Sequence, residues 1–210
     1  MRVKDTIYGE FDITEPLLIE LINSKPVQRL KGINQGGPIN FYEPQMTVTR
    51  YEHSIGVMLL LRKLGASIQE QAAGLLHDVA HTAFSHVVDH VYKDNTHSYH
   101  DRQHKNVVEE SEIPSILQQH AINIEQLMDH DNFPLLEREQ PELCADRVDY
   151  ALRDIEALRP GSSREFVNAF TTHNQRIVMT DEKTAAAFAK HFIRGDQELW
   201  ATPASVIGHN

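Results

Sequence analysis

Two apolar helical stretches in tandem, residues 51–64 and 67–76, constrain this chain most, because the second ends on the pair His77-Asp78. From Tyr51 to Leu64 the pattern is apolar on nearly every side, and Gly65 closes it as a left-handed C-cap does. Ser67 reads as the N-cap of the next helix, which carries Ala72, Ala73, Leu75 and Leu76 into His77. A helix apolar all round must be wrapped by others. Yet Arg50 and His53 sit three residues apart with Val57 and Leu60 on or near their stripe. Burying that pair is costly unless an anion and a metal await it.

The rest of the chain reads as mostly helical. Residues 3–13 alternate loosely around Gly9, which predicts a short hairpin or extended arm. Thr14 reads as an N-cap ahead of Pro16 and the stripe Leu17, Leu18, Leu21 and Ile22. A short helix is expected from Pro26 to Ile33, with Arg29 and Lys31 on a solvated face, then a loop or small hairpin from Pro38 to Val48. Helices are expected over 84–92, 109–120, 124–128, 143–158 and 182–193, with a mobile connection over 93–103 and a strand over 176–179.

At 210 residues, 40% hydrophobic, the chain is long enough for one full-sized domain. Its start, MRVKDTIYGEF, lacks the apolar core of a leader, and no stretch approaches a membrane span, so a soluble cytoplasmic protein is expected. The lone Cys144 excludes an internal disulfide and any cysteine-based zinc cluster; a metal would need His and carboxylate ligands. A formal net charge of −10 argues against broad binding to nucleic acid or anionic membrane. A phosphate-bearing substrate would need a locally positive pocket.

Histidine is the residue to follow: His77, His81, His86, His90, His97, His100 and His104 crowd into one stretch. His77 and Asp78 leave their helix about 100° apart and can approach one ion from the same side. His81 follows one turn after His77 if that helix continues. Further on, Asp146, Tyr150, Arg153 and Asp154 recur at helical intervals along one side, a set that fits an active-site face better than a core face.

Arg50-Tyr-Glu-His53-Ser-Ile-Gly56, then His77-Asp78-Val-Ala-His81-Thr-Ala-Phe-Ser-His86, then Asp146-Arg-Val-Asp149-Tyr150 resemble the H…HD…D pattern of the HD superfamily of metal-dependent phosphohydrolases. The likeness spans roughly residues 5–154 and is strongest to the deoxynucleoside triphosphate triphosphohydrolase branch. It implies an all-α HD-domain bundle with the small N-terminal β element: a single domain over 1–210, motif core about 26–158, and a C-terminal helical extension over 159–210. It implies His53, His77, Asp78 and Asp146 as ligands of one divalent transition metal, Fe, Mn, Zn, Ni or Co, with Mg accompanying substrate phosphates.

By the same resemblance Arg50 and Arg147 contact phosphate, Tyr150, Asp154 and Gln35 face the sugar, and His81, His86 and Asp89 hold acid/base and supporting positions. His86 is then the proton donor, oriented by Asp89. A further His-acid pair falls on His100-Asp101 or on His104-Lys105. The implied partner is a small nucleotide or related phosphate ester, and self-association is a family habit. Two other readings compete: a nucleotide-binding sensor that does not turn over, and a zinc peptidase built on the i, i+4 pair His77 and His81.

Overall fold

The computed structural model describes residues 1–85, 87–92 and 99–200. It opens with an antiparallel hairpin, β1 (Arg2–Asp5) and β2 (Gly9–Asp12), pairing Arg2 with Asp12 and Asp5 with Gly9. The turn is held from within, since Asp5 Oδ1 accepts from the backbone N–H of Ile7 at 2.8 Å and of Tyr8 at 3.0 Å. Two short helices follow, α1 (Pro16–Asn23) and α2 (Lys25–Arg29), each with proline in its first turn, where the missing N–H costs nothing. The residue that caps α1 is Glu15, not Thr14.

The centre of the molecule is α3 (Arg50–Lys63), opened by a reciprocal capping box between Thr49 and Glu52. Against it lies α4 (Ile68–Leu76), whose first turn is capped by the Ser67 hydroxyl. Every residue from His53 to Leu61 is buried. Two glycines let its neighbours come close. A methyl on Gly74 of α4 would stand 2.5 Å from Leu61 Cδ1. A methyl on Gly56 would fall on Arg153 and Asp149, side chains of the third helix in this core.

Beyond α4 come α5 (Val87–Val91), α6 (Tyr99–Glu109), α7 (Ile113–Gln119) and α8 (Ile124–Met128). Then α9 (Ala145–Leu158) packs across α3. A short α10 (Arg164–Val167), a second hairpin of β3 (Phe170–His173) and β4 (Arg176–Met179), and α11 (Glu182–Gly195) complete the chain up to a wide final turn, Asp196–Trp200. Among the described residues the strands are confined to these two hairpins, so the fold is the expected all-α bundle with a small N-terminal β element, and the second hairpin interrupts what was expected as a helical extension over 159–210. No helix among them is long and apolar enough to cross a membrane.

Three boundaries differ from expectation. The helix predicted over 84–92 is only α5, because Ser85 adopts φ 50° in the turn before it. Residues 99–103 of the expected mobile connection are the start of α6; residues 93–98 lie outside the described set. The single helix expected over 109–120 is instead the end of α6 and a separate α7, with Pro114 in its first turn.

Candidate metal centre

The end of α4, the first turn of α3 and the first turn of α9 meet at one point. His53 Nε2 lies 2.9 Å from Asp146 Oδ1 and 3.2 Å from His77 Nε2, and His77 Nε2 lies 3.4 Å from Asp146 Oδ1. Asp78 stands at the edge of this trio, with Oδ2 3.7 Å from His53 Nε2 and Oδ1 3.6 Å from His77 Nε2. Donors that each bind one ion at about 2.0–2.2 Å sit about 2.8–3.6 Å from one another. The spacing therefore matches a shared cation. The His53 side chain is 2% exposed and that of Asp146 25%, so the centre opens to solvent on the α9 side.

Hydrogen bonds behind the rings decide what those atoms present. His77 Nδ1 lies 2.7 Å from the carbonyl of Gly74, which can only accept, so Nδ1 carries the proton. His53 Nδ1 lies 2.7 Å from Asp149 Oδ2 and donates to it. In the neutral rings both Nε2 atoms are then lone pairs, aimed at each other and at two carboxylates. Such an arrangement is repulsive until positive charge fills it.

Proton affinities agree. Burial opposes a charged His53, but Asp146 and Asp149 outweigh it and raise the pKa to about 10. Burial likewise works against charge on Asp78, yet Arg50, His77 and His81 hold it well below the usual carboxylate range. The centre attracts cations, and a divalent metal fits the donor set. Asp146 also comes within 4.8 Å of Glu137 and Cys144. In that group burial, Glu137 and Asp146 push the Cys144 thiol up to about 12, and its Sγ lies 3.6 Å from Glu137 Oε1.

Behind the ligands runs a buried chain of charge. Asp149, which takes the His53 proton donor, also accepts from Arg153 Nε at 2.7 Å, and Arg153 Nη2 donates to Asp5 Oδ2 at 2.9 Å. The N-terminal hairpin is thereby tied to the His53 imidazole. Arg29 supports the other side: its Nη2 donates to the carbonyls of Val79 and His81, both at 2.8 Å, and so pins the turn that follows His77-Asp78. Arg29 is exposed along its length, as expected, yet its guanidinium tip is engaged by these two carbonyls. Neither support was foreseen from sequence, although the i, i+4 spacing of Asp149 and Arg153 is a signal of one.

The other expected site residues divide. Arg50 is buried, with Nη1 2.6 Å from Asp78 Oδ2, Nε on Ser85 Oγ and Nη2 on the Gln35 carbonyl. The anion it finds inside the protein is the Asp78 carboxylate. Gln35 Oε1 is buried with no hydrogen-bond partner among the described residues, an atom available to a ligand. Arg147 donates to the backbone carbonyls of Glu142 and Arg138, so as placed it braces the loop before α9. Tyr150 and Asp154 fall on the Asp146 face of α9, whereas Arg153 belongs to the neighbouring, fully buried face.

Among the histidines, His81 Nε2 lies 3.2 Å from Asp78 Oδ1, and burial and Arg50 hold its pKa well below the ordinary value. The chain turns at 77–80, so His77 and His81 never share a helical face as a peptidase site requires. His100 stacks on His81 with ring centres 3.9 Å apart. His104 faces elsewhere and its Nε2 donates to the carbonyl of Leu76 at 2.7 Å. Asp89 is buried and Oδ1 accepts from Tyr99 N at 3.0 Å, joining α5 to α6. His86 lies outside the described residues.

Fold and centre together define a helical metal-binding domain with mixed imidazole and carboxylate ligands. The HD domain family profile matches residues 50–154, half of the chain and the segment that carries His53, His77, Asp78 and Asp146. The chain belongs to this family, a superfamily of metal-dependent phosphohydrolases. Over its whole length it is 45% identical to the uncharacterized protein YdhJ of Bacillus subtilis, of which it spans 65%. Over 97% of its length it is 38% identical to the metal-dependent phosphohydrolase cns2 of Cordyceps militaris, of which it spans 62%. The crystal structure of a hypothetical protein from Aquifex aeolicus matches 99% of this chain with a TM-score of 0.75 at 26% identity, and 61% of that protein is covered. The chain thus spans less than two thirds of these relatives.

Proposed function

We propose that this chain is a hydrolytic HD domain that cleaves a phosphate ester or anhydride of a nucleotide, with one divalent transition metal held by His53, His77, Asp78 and Asp146. The observation that carries the reading is the pair of Nε2 lone pairs 3.2 Å apart, each fixed by a proton on the opposite nitrogen and both facing Asp146. The name of the Cordyceps militaris relative points the same way. When bound, the cation supplies Lewis acidity and lowers the pKa of a coordinated water from about 15.7 toward roughly 7.

The chain's own groups supply the rest. The His81 and His100 stack, uncharged at His81 and beside Asp78, is placed to relay a proton at the phosphate end. His86 keeps the role of proton donor to the leaving oxygen on motif grounds, with Asp89 next to it in the assignment. Arg50 and Arg147 have N–H groups left over for phosphate oxygens. Asp146, Tyr150 and Asp154 stand at successive turns of α9, about 6 Å apart per step, and the roughly 12 Å they cover suits a nucleoside phosphate lying along the helix. A deoxynucleoside triphosphate is the favoured substrate, with Gln35, Tyr150 and Asp154 toward its sugar.

The test strips the protein of metal, reloads it with Mn, Co, Ni, Zn, Fe or Mg, and incubates it with deoxy- and ribonucleoside tri- and monophosphates. Metal-dependent release of tripolyphosphate or phosphate, lost in His77→Ala, is the expected result. Binding without release under every metal would overturn hydrolysis in favour of a sensor.

A further inference from the structure

Resting on the nucleotide reading above, we propose that Trp200 is a specificity-determining residue of the pocket: with Tyr150 it forms the aromatic corner that receives the nucleoside, and its indole N–H fixes the Asp154 carboxylate for the sugar hydroxyls. Trp200 Nε1 donates to Asp154 Oδ2 at 2.7 Å. Its ring meets Tyr150 edge to face, with centres 5.5 Å apart at 81°, and Phe192 of α11 at 5.1 Å and 70°.

The indole is seated, not swinging. Leu199 beside it is 1% exposed, in a small apolar cluster with Ile39 and Met46 from the loop before α3. The backbone of Gly195 passes the ring so closely that a methyl there would touch it at 3.4 Å. Trp200 and Asp154 nevertheless remain only half-buried. An indole serving the core alone has no need of a carboxylate that shares a helix face with a metal ligand.

Chemistry gives this surface a direction. Phosphate belongs at the Asp146 end, beside the cation. The Asp154 carboxyl offers oxygens that accept from hydroxyls, and any charge it carries repels phosphate, so the Asp154 end suits the sugar. Aromatic rings beside it stack with any base, because each base has a π-face. A nucleoside phosphate is the ligand with phosphate, hydroxyls and base in that order.

Trp200 is the single tryptophan of the chain, so its emission reports on this corner alone. The Mn-loaded full chain is titrated with a deoxynucleoside triphosphate and, separately, with inorganic tripolyphosphate. The nucleotide is expected to shift or quench the emission and tripolyphosphate to leave it in place. In Trp200→Phe, which keeps a ring and loses the N–H, KM for the nucleotide is expected to rise about 5- to 10-fold with kcat within about twofold. An emission unmoved by saturating nucleotide, or moved equally by tripolyphosphate, overturns the proposal whether or not the variant folds. An emission change without any phosphate release would instead leave this corner standing and remove the hydrolytic reading.

Discussion

His53 Nδ1 donates to Asp149 Oδ2 over 2.7 Å, so the imidazole that faces the candidate metal centre is aimed by a carboxylate three residues beyond Asp146 on the same helix. Asp149 also neutralises the buried Arg153. Replacing it by asparagine removes the charge that polarises the ring and leaves Arg153 with Asp5 alone. Asp149→Asn is expected to weaken metal affinity about 10- to 100-fold, as the loss of a partner behind a ligating histidine does. Competition against a chelator measures it. An unchanged dissociation constant would show that His53 needs no orienting partner.

Arg29 makes a second, independent prediction. Its two bonds to the carbonyls of Val79 and His81 hold the turn after the ligand pair. Arg29→Met keeps the aliphatic stem and removes both bonds. A loss of about 1–2 kcal/mol is expected, read as a Tm lowered by roughly 2–4 °C for each kcal/mol, together with weaker metal binding. An arginine whose guanidinium bonded water alone would give neither.

His100 and His104 lie one turn apart on α6 yet predict opposite phenotypes. The His104 ring is buried, burial lowers its pKa, and its Nε2 donates to the last carbonyl of α4, one residue before His77. His104→Ala leaves that carbonyl with the Val79 N–H alone, at 3.1 Å, and should cost about 1–2 kcal/mol of stability through the lost bond and the emptied ring site. His100 stacks on His81 and is more exposed, so His100→Ala should fold as the parent does and lose turnover about 100-fold or more. Paired thermal melts and single-turnover assays separate them; the reverse pattern would exchange the assignments.

What was legible in the sequence follows from range. The cap at Ser67, the apolar run of α3 and the helices that present His77 and Asp146 are local patterns, and they appear where periodicity puts them. The resemblance supplied His53, His77, Asp78 and Asp146, which the fold brings together. Long-range partners were not legible. Nothing near Asp5 announces that its carboxylate meets Arg153, 148 residues away, and nothing near Trp200 announces Asp154. The helix predicted from residue 84 fails for a similar reason: Ser85 is held out of helical geometry while its hydroxyl joins Arg50 and the carbonyl of Asn34. Arg50 was foreseen as buried beside an anion, but the anion among its neighbours is Asp78.

Asp154 carries the last prediction, in which stability and function pull apart. Burial raises its pKa to about 7, and the Trp200 N–H only partly opposes this. In the unfolded chain an aspartate ionises near about 3.9. Between those values the unfolded state gives up the proton and the folded state keeps it. The protonated side chain's contribution is therefore full below about pH 4 and is lost as pH rises through 7. Asp154→Asn has no proton to lose and still offers Trp200 an amide oxygen. Relative to the parent, the variant should be near equal at pH 4 and more stable by about 1–2 kcal/mol at pH 8, a figure reduced for solvent screening at a half-exposed group. Thermal melts at both pH values measure it, and a difference that stays flat with pH would show that the carboxylate ionises without strain. A residue that costs stability at neutral pH two turns from Asp146 fits the sugar-binding role proposed for it. Nucleotide affinity should accordingly fall in the same variant whose Tm rises.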